Sequence, residues 1–414
     1  MRRTIFHSSD AHPGEWRRGW PIVAAAMLGS GLGPGLYQNL SSLFVPGLEH
    51  DLGWTRGEIA TAAGVGMIGA LAAPAVGRAA DRLGVRPVVI ASMLVLALGY
   101  LWLASVDRAL WHYTVGVLLV VAALPGTSSL SFGKLIAARF VAHRGMALAL
   151  GTSGLATMTI VVAPLLGLVI DRYGWRTALL ALAITTVAVA LPPILIAIRD
   201  APLATSAPRA DAAPAAELPG LTAPQARRDA RFWLLILSAL LINFATTGLV
   251  TQMVPIGIER GLPAGEAALL LTGFGVSAIA GRLLVGVLID RLRPFPVAAA
   301  IAIVSALAFL LLAWGPGGLG ALLTIVFLCG LMNGAENDLL PFLAARLFGL
   351  RAFAEIYGSA MPIALSGSAI GIVGFGRLHD WTGSYAAALV TGSVALALAA
   401  TCFLLLTKVR AAGG

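Results

Sequence analysis

Gly77-Arg78-Ala79-Ala80-Asp81-Arg82-Leu83-Gly84-Val85-Arg86 decides the fold: it is a charged stretch standing between two apolar runs, and it returns in weaker form as Gly286-Val287-Leu288-Ile289-Asp290-Arg291-Leu292-Arg293. Gly77 and Gly286 are 209 residues apart, as are Asp81-Arg82 and Asp290-Arg291. Gly57-Glu58 matches Gly265-Glu266 at an offset of 208, and Ala137-Ala138-Arg139 matches Ala344-Ala345-Arg346 at 207. Arg144 and Gly151 match Arg351 and Gly358 at the same 207. A long, nearly constant offset is the mark of an internal duplication. In each copy the glycine permits close helix approach, and the aspartate is placed to cap a helix terminus or pair with a basic neighbour. Gly77, Asp81, Arg82, Arg86, Gly286, Asp290 and Arg291 are therefore expected to form a gate that locks one conformation, not a substrate site.

The runs on either side explain why these charges are confined to loops. Of 414 residues, 58% are hydrophobic and only 11% are charged, against roughly 25% charged in soluble chains. Too little polar side chain remains to cover a water-facing surface, so the surrounding medium must be lipid. The net charge of +9 comes from basic residues scattered between apolar runs, unlike the clustered basic face of a nucleic-acid binder. Cys329 and Cys402 each lie inside an apolar stretch, which excludes a disulfide framework and a paired Cys/His metal site. The absence of a phosphate-binding loop argues against an ATP-driven pump, and no cofactor and no enzymatic activity are expected.

A membrane-crossing helix needs about 20 apolar residues. Charge-free runs at residues 19–48, 59–77, 87–106, 109–133, 145–170, 177–198, 232–258, 356–376 and 381–407 supply nine. Residues 294–335 are broken by Gly315-Pro316-Gly317-Gly318 and supply two, and residues 267–290, which contain Arg282, complete twelve. The polar first eighteen residues, followed by a span without a small-residue cleavage signature, are not expected to be a removed signal peptide. With both tails on the cytoplasmic side, that side carries 21 basic residues and the opposite side only Arg56, Arg108, Arg172, Arg176, Arg260 and Arg377, as the positive-inside rule requires. The Ala/Pro-rich stretch between Arg199 and Arg231 cannot build a packed core. The expected plan is an all-α membrane protein with bundles at residues 1–199 and 231–414 joined by a cytoplasmic linker at 200–230.

Two six-helix repeats related by an axis along the membrane normal describe the major facilitator plan. The run from Gly77 to Arg86 resembles that superfamily's signature G-x-x-x-D-R-x-G-x-R between its second and third helices, and the resemblance covers essentially the whole chain. Five further stretches resemble the monocarboxylate-porter and oxalate/formate-antiporter branch. They are Gly19-Trp20-Pro21, Leu52-Gly53-Trp54-Thr55-Arg56-Gly57-Glu58, Arg144-Gly145-Met146-Ala147-Leu148-Ala149, Asp171-Arg172-Tyr173-Gly174-Trp175-Arg176 and Leu347-Phe348-Gly349.

Arg282 stands eight residues before Asp290, about 12 Å of helix and close to the middle of a roughly 30 Å hydrocarbon core. Such a charge costs about 2.5–3.5 kcal/mol or more unless it faces a partner or a cavity. Its repeat counterpart is Ala73, so the fold does not demand it. The resemblance implies that Arg282, in Arg282-x-x-x-Gly286-x-x-x-Asp290, binds a substrate carboxylate; the competing reading is permanent neutralisation by an acid on the tenth span. That span carries Asn333, Glu336, Asn337 and Asp338. Residues two apart on a helix point about 200° apart, so Glu336 and Asp338 cannot both face one cavity, whereas Asn333, Glu336, Asn337 and Leu340 share a face. Glu336, with Asp338 as second candidate, is expected to carry a coupled proton, since burial favours a protonated carboxyl and a nearby arginine the charged form; a static bridge between spans is the alternative. The E-x-D turn departs from the porter pattern, in which this turn is neutral.

Residues 356–376 hold no second cation, and one intramembrane cation suits a monovalent anion. Tyr37, Asn39, Asn243 and Tyr357 are the remaining substrate-binding candidates, alongside Asn333 and Asn337. Gly31, Gly33, Pro34, Gly35 and Pro362 are candidate bending points. Ala163-Pro164 in place of the Gly-Pro of antiporters disfavours a drug exchanger. The sequence thus points to a secondary transporter of a small organic anion, a monocarboxylate moved with a proton, working as a monomer in a bacterial inner membrane. Proton-driven efflux of a cationic compound and a transporter-like nutrient sensor are the alternatives.

Overall fold

A computed structural model describes residues 15–127, 132, 135–136, 139–140, 143–197, 220–349 and 351–408. Most of the expected linker, residues 200–219, lies outside the described residues, as do the side chains of Arg2, Arg3, Arg18, Asp81, Lys134, Arg144, Arg199, Arg209 and Arg410. The fold is all-α and has twelve spans. Among the described residues, ten segments are long and apolar enough to cross a bilayer. One of them, Met146–Ala197, is 52 residues long and holds the fifth and sixth spans, because Gly174 breaks it with φ 81° and ψ 165°, a conformation that only glycine adopts without strain. The twelfth is the first span, which reaches membrane length only as two pieces, Glu15–Gly31 and Pro34–Leu40.

That division falls at the glycines and proline singled out above. Gly33 is extended and Pro34 opens the next helix, where a missing N–H costs nothing. Pro362, by contrast, lies inside the unbroken eleventh span, Phe353–Thr382. The second span starts at Arg56 with a capping box between Thr55 and Glu58, and passes through a 3-10 stretch, Met67–Ala72, to end at Leu83. The third and fourth begin as Val85–Ala104 and Leu110–Ala122. The seventh runs Ala230–Thr251 and is followed by a separate short helix, Met253–Glu259; the eighth is Ala264–Arg291, the ninth Pro294–Trp314, the tenth Leu319–Phe348 and the twelfth Ala386–Leu406. Helices satisfy every backbone donor internally, which lipid demands; among the described residues the only β pairing is the isolated bridge Gly220–Gly349.

That bridge changes one expectation about the linker. Leu221 N donates to Phe348 O at 2.8 Å, a short helix spans Ala223–Arg228, and Arg227 reaches Glu355 at 2.9 Å. Residues 220–230 are folded onto the second bundle, whereas composition alone read them as part of a loose connection.

The spans pack through small residues, as membrane helices do. A Cβ at Gly334 would strike the Ala278 carbonyl, and one at Gly281 the Leu331 carbonyl, so the eighth and tenth spans touch backbone to backbone. The two halves meet along the second and eleventh spans and along the fifth and eighth. Both seams are tight at the end away from the tails, called distal here: Gly64 lies against Val373, Gly376 against Ala60, and Gly275 against Ile160. Toward the tail end the same spans diverge. Among the described residues, side chains added at Gly77, Gly286 and Gly358 would meet nothing within 4 Å. Among the described residues, the halves are in contact distally and stand apart at the tail end.

Candidate functional site

Arg282 is held by the tenth span. Its Nε donates to Asp338 Oδ2 and its Nη2 to Asp338 Oδ1, each at 3.1 Å. This two-point grip is the geometry a guanidinium offers any carboxylate. The backbone explains the register: Gly330, Gly334 and Asp338 follow one another at four-residue steps along the tenth span, and Ala278 and Arg282 do the same on the eighth. The glycines draw the helices together, and the ion pair closes that row one turn nearer the tails. Arg282 also stands seven residues after Gly275, hence on the same face of the helix, and Gly275 is the residue that packs on Ile160 of the other half. The pair is only partly shielded, with 29% of the Arg282 and 43% of the Asp338 side chain exposed.

Glu336 points elsewhere, as the two-residue separation requires. It is buried, and Asn243 Nδ2 of the seventh span donates to its Oε1 at 2.5 Å. Ser368 of the eleventh span donates to Asn243 Oδ1 at 3.1 Å, and the Ser368 hydroxyl lies 3.0 Å from that of Thr247. Because an amide oxygen only accepts, Ser368 spends its proton on Asn243 and Thr247 must donate to Ser368. Four side chains therefore form a one-way chain of donors that ends on Glu336. Three spans are joined by it.

The remaining candidates fall around these two clusters or away from them. Asn337 is exposed and donates to the Asn333 carbonyl at 3.1 Å. Tyr357 stacks on Phe353 and lines a narrow apolar slot with Ile236, Ala239, Leu340 and Met361. Asn39 donates to Thr159 Oγ1 at 3.1 Å, tying the first span to the fifth. Tyr37 is buried, its hydroxyl donating to Tyr113 at 3.3 Å and its ring stacked on Phe44. The gate candidates Arg82, Asp290 and Arg291 are exposed at the open tail end, and Arg86 is half-buried there.

A third polar cluster was not anticipated, and it crosses the distal seam. Asp380, at the end of the eleventh span, accepts from Thr55 Oγ1 at 2.6 Å and from Gly57 N at 3.0 Å. Arg377 Nε donates to Thr61 at 2.9 Å. Arg56 bonds Glu49 at 2.9 Å, has His379 Nε2 at 3.0 Å from its Nη1, and lies 3.8 Å from Glu259. A usable signal was present. Arg56 and Arg377 are two of the few basic residues kept on the poorly charged side, and a charge retained against that bias calls for a partner.

Residues 26–372 match the family model described as Major Facilitator Superfamily. The human protein named monocarboxylate transporter 11 is 28% identical over 422 residues, covering 95% of this chain and 84% of the relative. The rat protein named monocarboxylate transporter 13 is 26% identical, with 95% of this chain and 89% of the relative covered. Among solved structures, a bacterial homolog of the human lysosomal transporter Spinster, in an inward-facing and occupied conformation, superposes with a TM-score of 0.73 at 15% identity, covering 95% and 98% of the two chains. A D-xylose–proton symporter gives 0.68 at 16% identity, covering 93% and 97%. At these identities the structures bear on the fold alone.

Proposed function

The chain belongs to the Major Facilitator Superfamily and is a membrane transporter, not an enzyme; on that premise we propose that it carries a small organic anion, a monocarboxylate, with a proton by alternating access. One observation carries the reading. The Arg282 guanidinium, about midway along its span, is held at two points by a carboxylate and remains partly exposed, on the tail side of the contact that Gly275 makes with the other half. A substrate carboxylate has the same shape and charge as Asp338 and takes its place on Arg282. Protonation of Asp338 releases the guanidinium, so one proton enters for each anion bound. The relatives named monocarboxylate transporters support the substrate class. Basic residues concentrated on the tail side support a cytoplasmic tail end in a plasma membrane, and hence a cytoplasm-facing opening.

Cation efflux is the second reading, favoured by Glu336, whose carboxylate has an amide partner and, among the described residues, no cation beside it. Transport by Arg282 and Glu336 variants separates the two. Under the anion reading Arg282→Ala abolishes binding, a loss of about a hundredfold or more when a desolvated charge is left unpaired. Arg282→Lys rescues poorly, since an ammonium lacks the planar two-point grip. An Arg282→Ala protein that binds and transports its substrate normally, while Glu336→Gln loses binding, would sink the anion reading.

A further inference from the structure

The distal seam contains a histidine whose protonation state is fixed by its neighbours. Guanidinium nitrogens only donate, so with Arg56 Nη1 at 3.0 Å His379 Nε2 must accept, and the imidazole is neutral with its proton on Nδ1. That Nδ1 is buried and, among the described residues, without a hydrogen-bond partner, 3.9 Å from Asp380 Oδ1. The groups facing the ring come from every element around it. Arg56 opens the second span, Glu49 stands behind Arg56, Glu259 Oε2 lies 3.5 Å from Nε2, Asp380 is the next residue, and the Tyr385 ring centroid is 4.5 Å away. Three carboxylates surround one guanidinium and one imidazole, so a second positive charge here is accommodated electrostatically.

We propose that His379 is a proton-binding site that unlatches the distal seam. In the neutral state Arg56, from the first half, is bonded to His379 and faces Glu259, both from the second half. A proton taken from water at Nε2 removes the ring lone pair that accepts from Arg56 Nη1 and sets two cations against each other. Each cation then has an acid within its own half. Arg56 keeps Glu49, and the imidazolium pairs with Glu259 and draws on Asp380, which now holds Thr55 and Gly57. For these two cations, pairing between the halves becomes pairing within each half, so the seam opens with Arg56 and His379 both still facing an acid. This step is independent of the substrate at Arg282, so it stands or falls apart from the anion reading.

The test uses the full chain in lipid nanodiscs, with Cys329 and Cys402 replaced by Ala and spin labels at Ser105→Cys and Gly317→Cys, exposed distal positions in opposite halves. Inter-label distances are measured from about pH 8 to about pH 5.5, across the imidazole range. A longer-distance population is expected to grow several-fold as the pH falls. His379→Gln keeps an acceptor oxygen for Arg56 but cannot titrate, so its distances stay short throughout. Glu259→Gln removes a partner of the imidazolium and moves the transition to lower pH. Glu336→Gln and Asp338→Asn retain the response. A parent protein with no pH response, a His379→Gln variant that opens like the parent, or a response abolished by Asp338→Asn overturns the proposal.

Discussion

Arg282 and Asp338 satisfy each other without being sealed from solvent, and this governs what happens when either is changed. A fully buried pair broken on one side costs about 3–5 kcal/mol; with 29% and 43% of the side chains exposed, the cost falls from that toward the roughly 0–1 kcal/mol of an exposed pair. Asp338→Asn is therefore expected to lower the thermal unfolding midpoint by a few degrees while raising the affinity for a monocarboxylate several-fold, because the internal competitor is gone. Added anion should restore the midpoint, a recovery measurable by thermal shift. Arg282 was legible in the sequence because a lone charge in an apolar run has few structural uses. Its partner was not. Helical phase says that Glu336 and Asp338 point apart, but which one meets the eighth span depends on how the tenth is rotated, and Gly330 and Gly334 set that rotation through contacts 50 or more residues away in sequence.

At the scale of single helices, the close approach of the eighth and tenth spans positions the ion pair. Gly334→Val places a branched side chain against the Ala278 carbonyl, forces the helices apart and costs about 1–3 kcal/mol. Anion binding should fall together with stability in this variant, which contacts no substrate; unchanged binding at lowered stability would separate the ridge from the site. The seventh span is secured at its start, where Asp229 accepts from Arg231 N at 2.9 Å and pairs with the Arg231 side chain at 2.5 Å. Hydrogen bonding from Arg231 holds the Asp229 carboxyl below its usual range. A carboxyl depressed by folding contributes stability above its unfolded value of about 3.9, and loses it as the pH falls through the lower folded value. Asp229→Ala should lower the unfolding midpoint at neutral pH by an amount that shrinks below about pH 4. The spans themselves were readable from charge-free runs, whereas the division at Gly174 and the helix Ala223–Arg228 depend on packing partners that composition does not reveal.

Across the whole molecule, the duplication was legible in the 207–209-residue offsets, but the state of the two halves was not. Arg56 and His379 are 323 residues apart, and each looks like an ordinary interfacial residue until the fold brings them together. The orientation is open to a direct check: a cysteine at Ala213 should react with a membrane-impermeant thiol reagent only after cells are opened, and labelling of intact cells would reverse the assignment. The distal seam has one more effect, on how the transporter is perceived by its two compartments. A ligand approaching the tail end meets halves that already stand apart, whereas one approaching from the far side finds a receptive molecule only in the small fraction of time that the seam is parted. Its apparent dissociation constant is the intrinsic one divided by that fraction, so its apparent affinity falls. If the clasp is worth about 2.7 kcal/mol, the same unaltered pocket is roughly a hundredfold weaker from one compartment than from the other, and the protein acts as a rectifier in its kinetics while obeying a symmetric equilibrium.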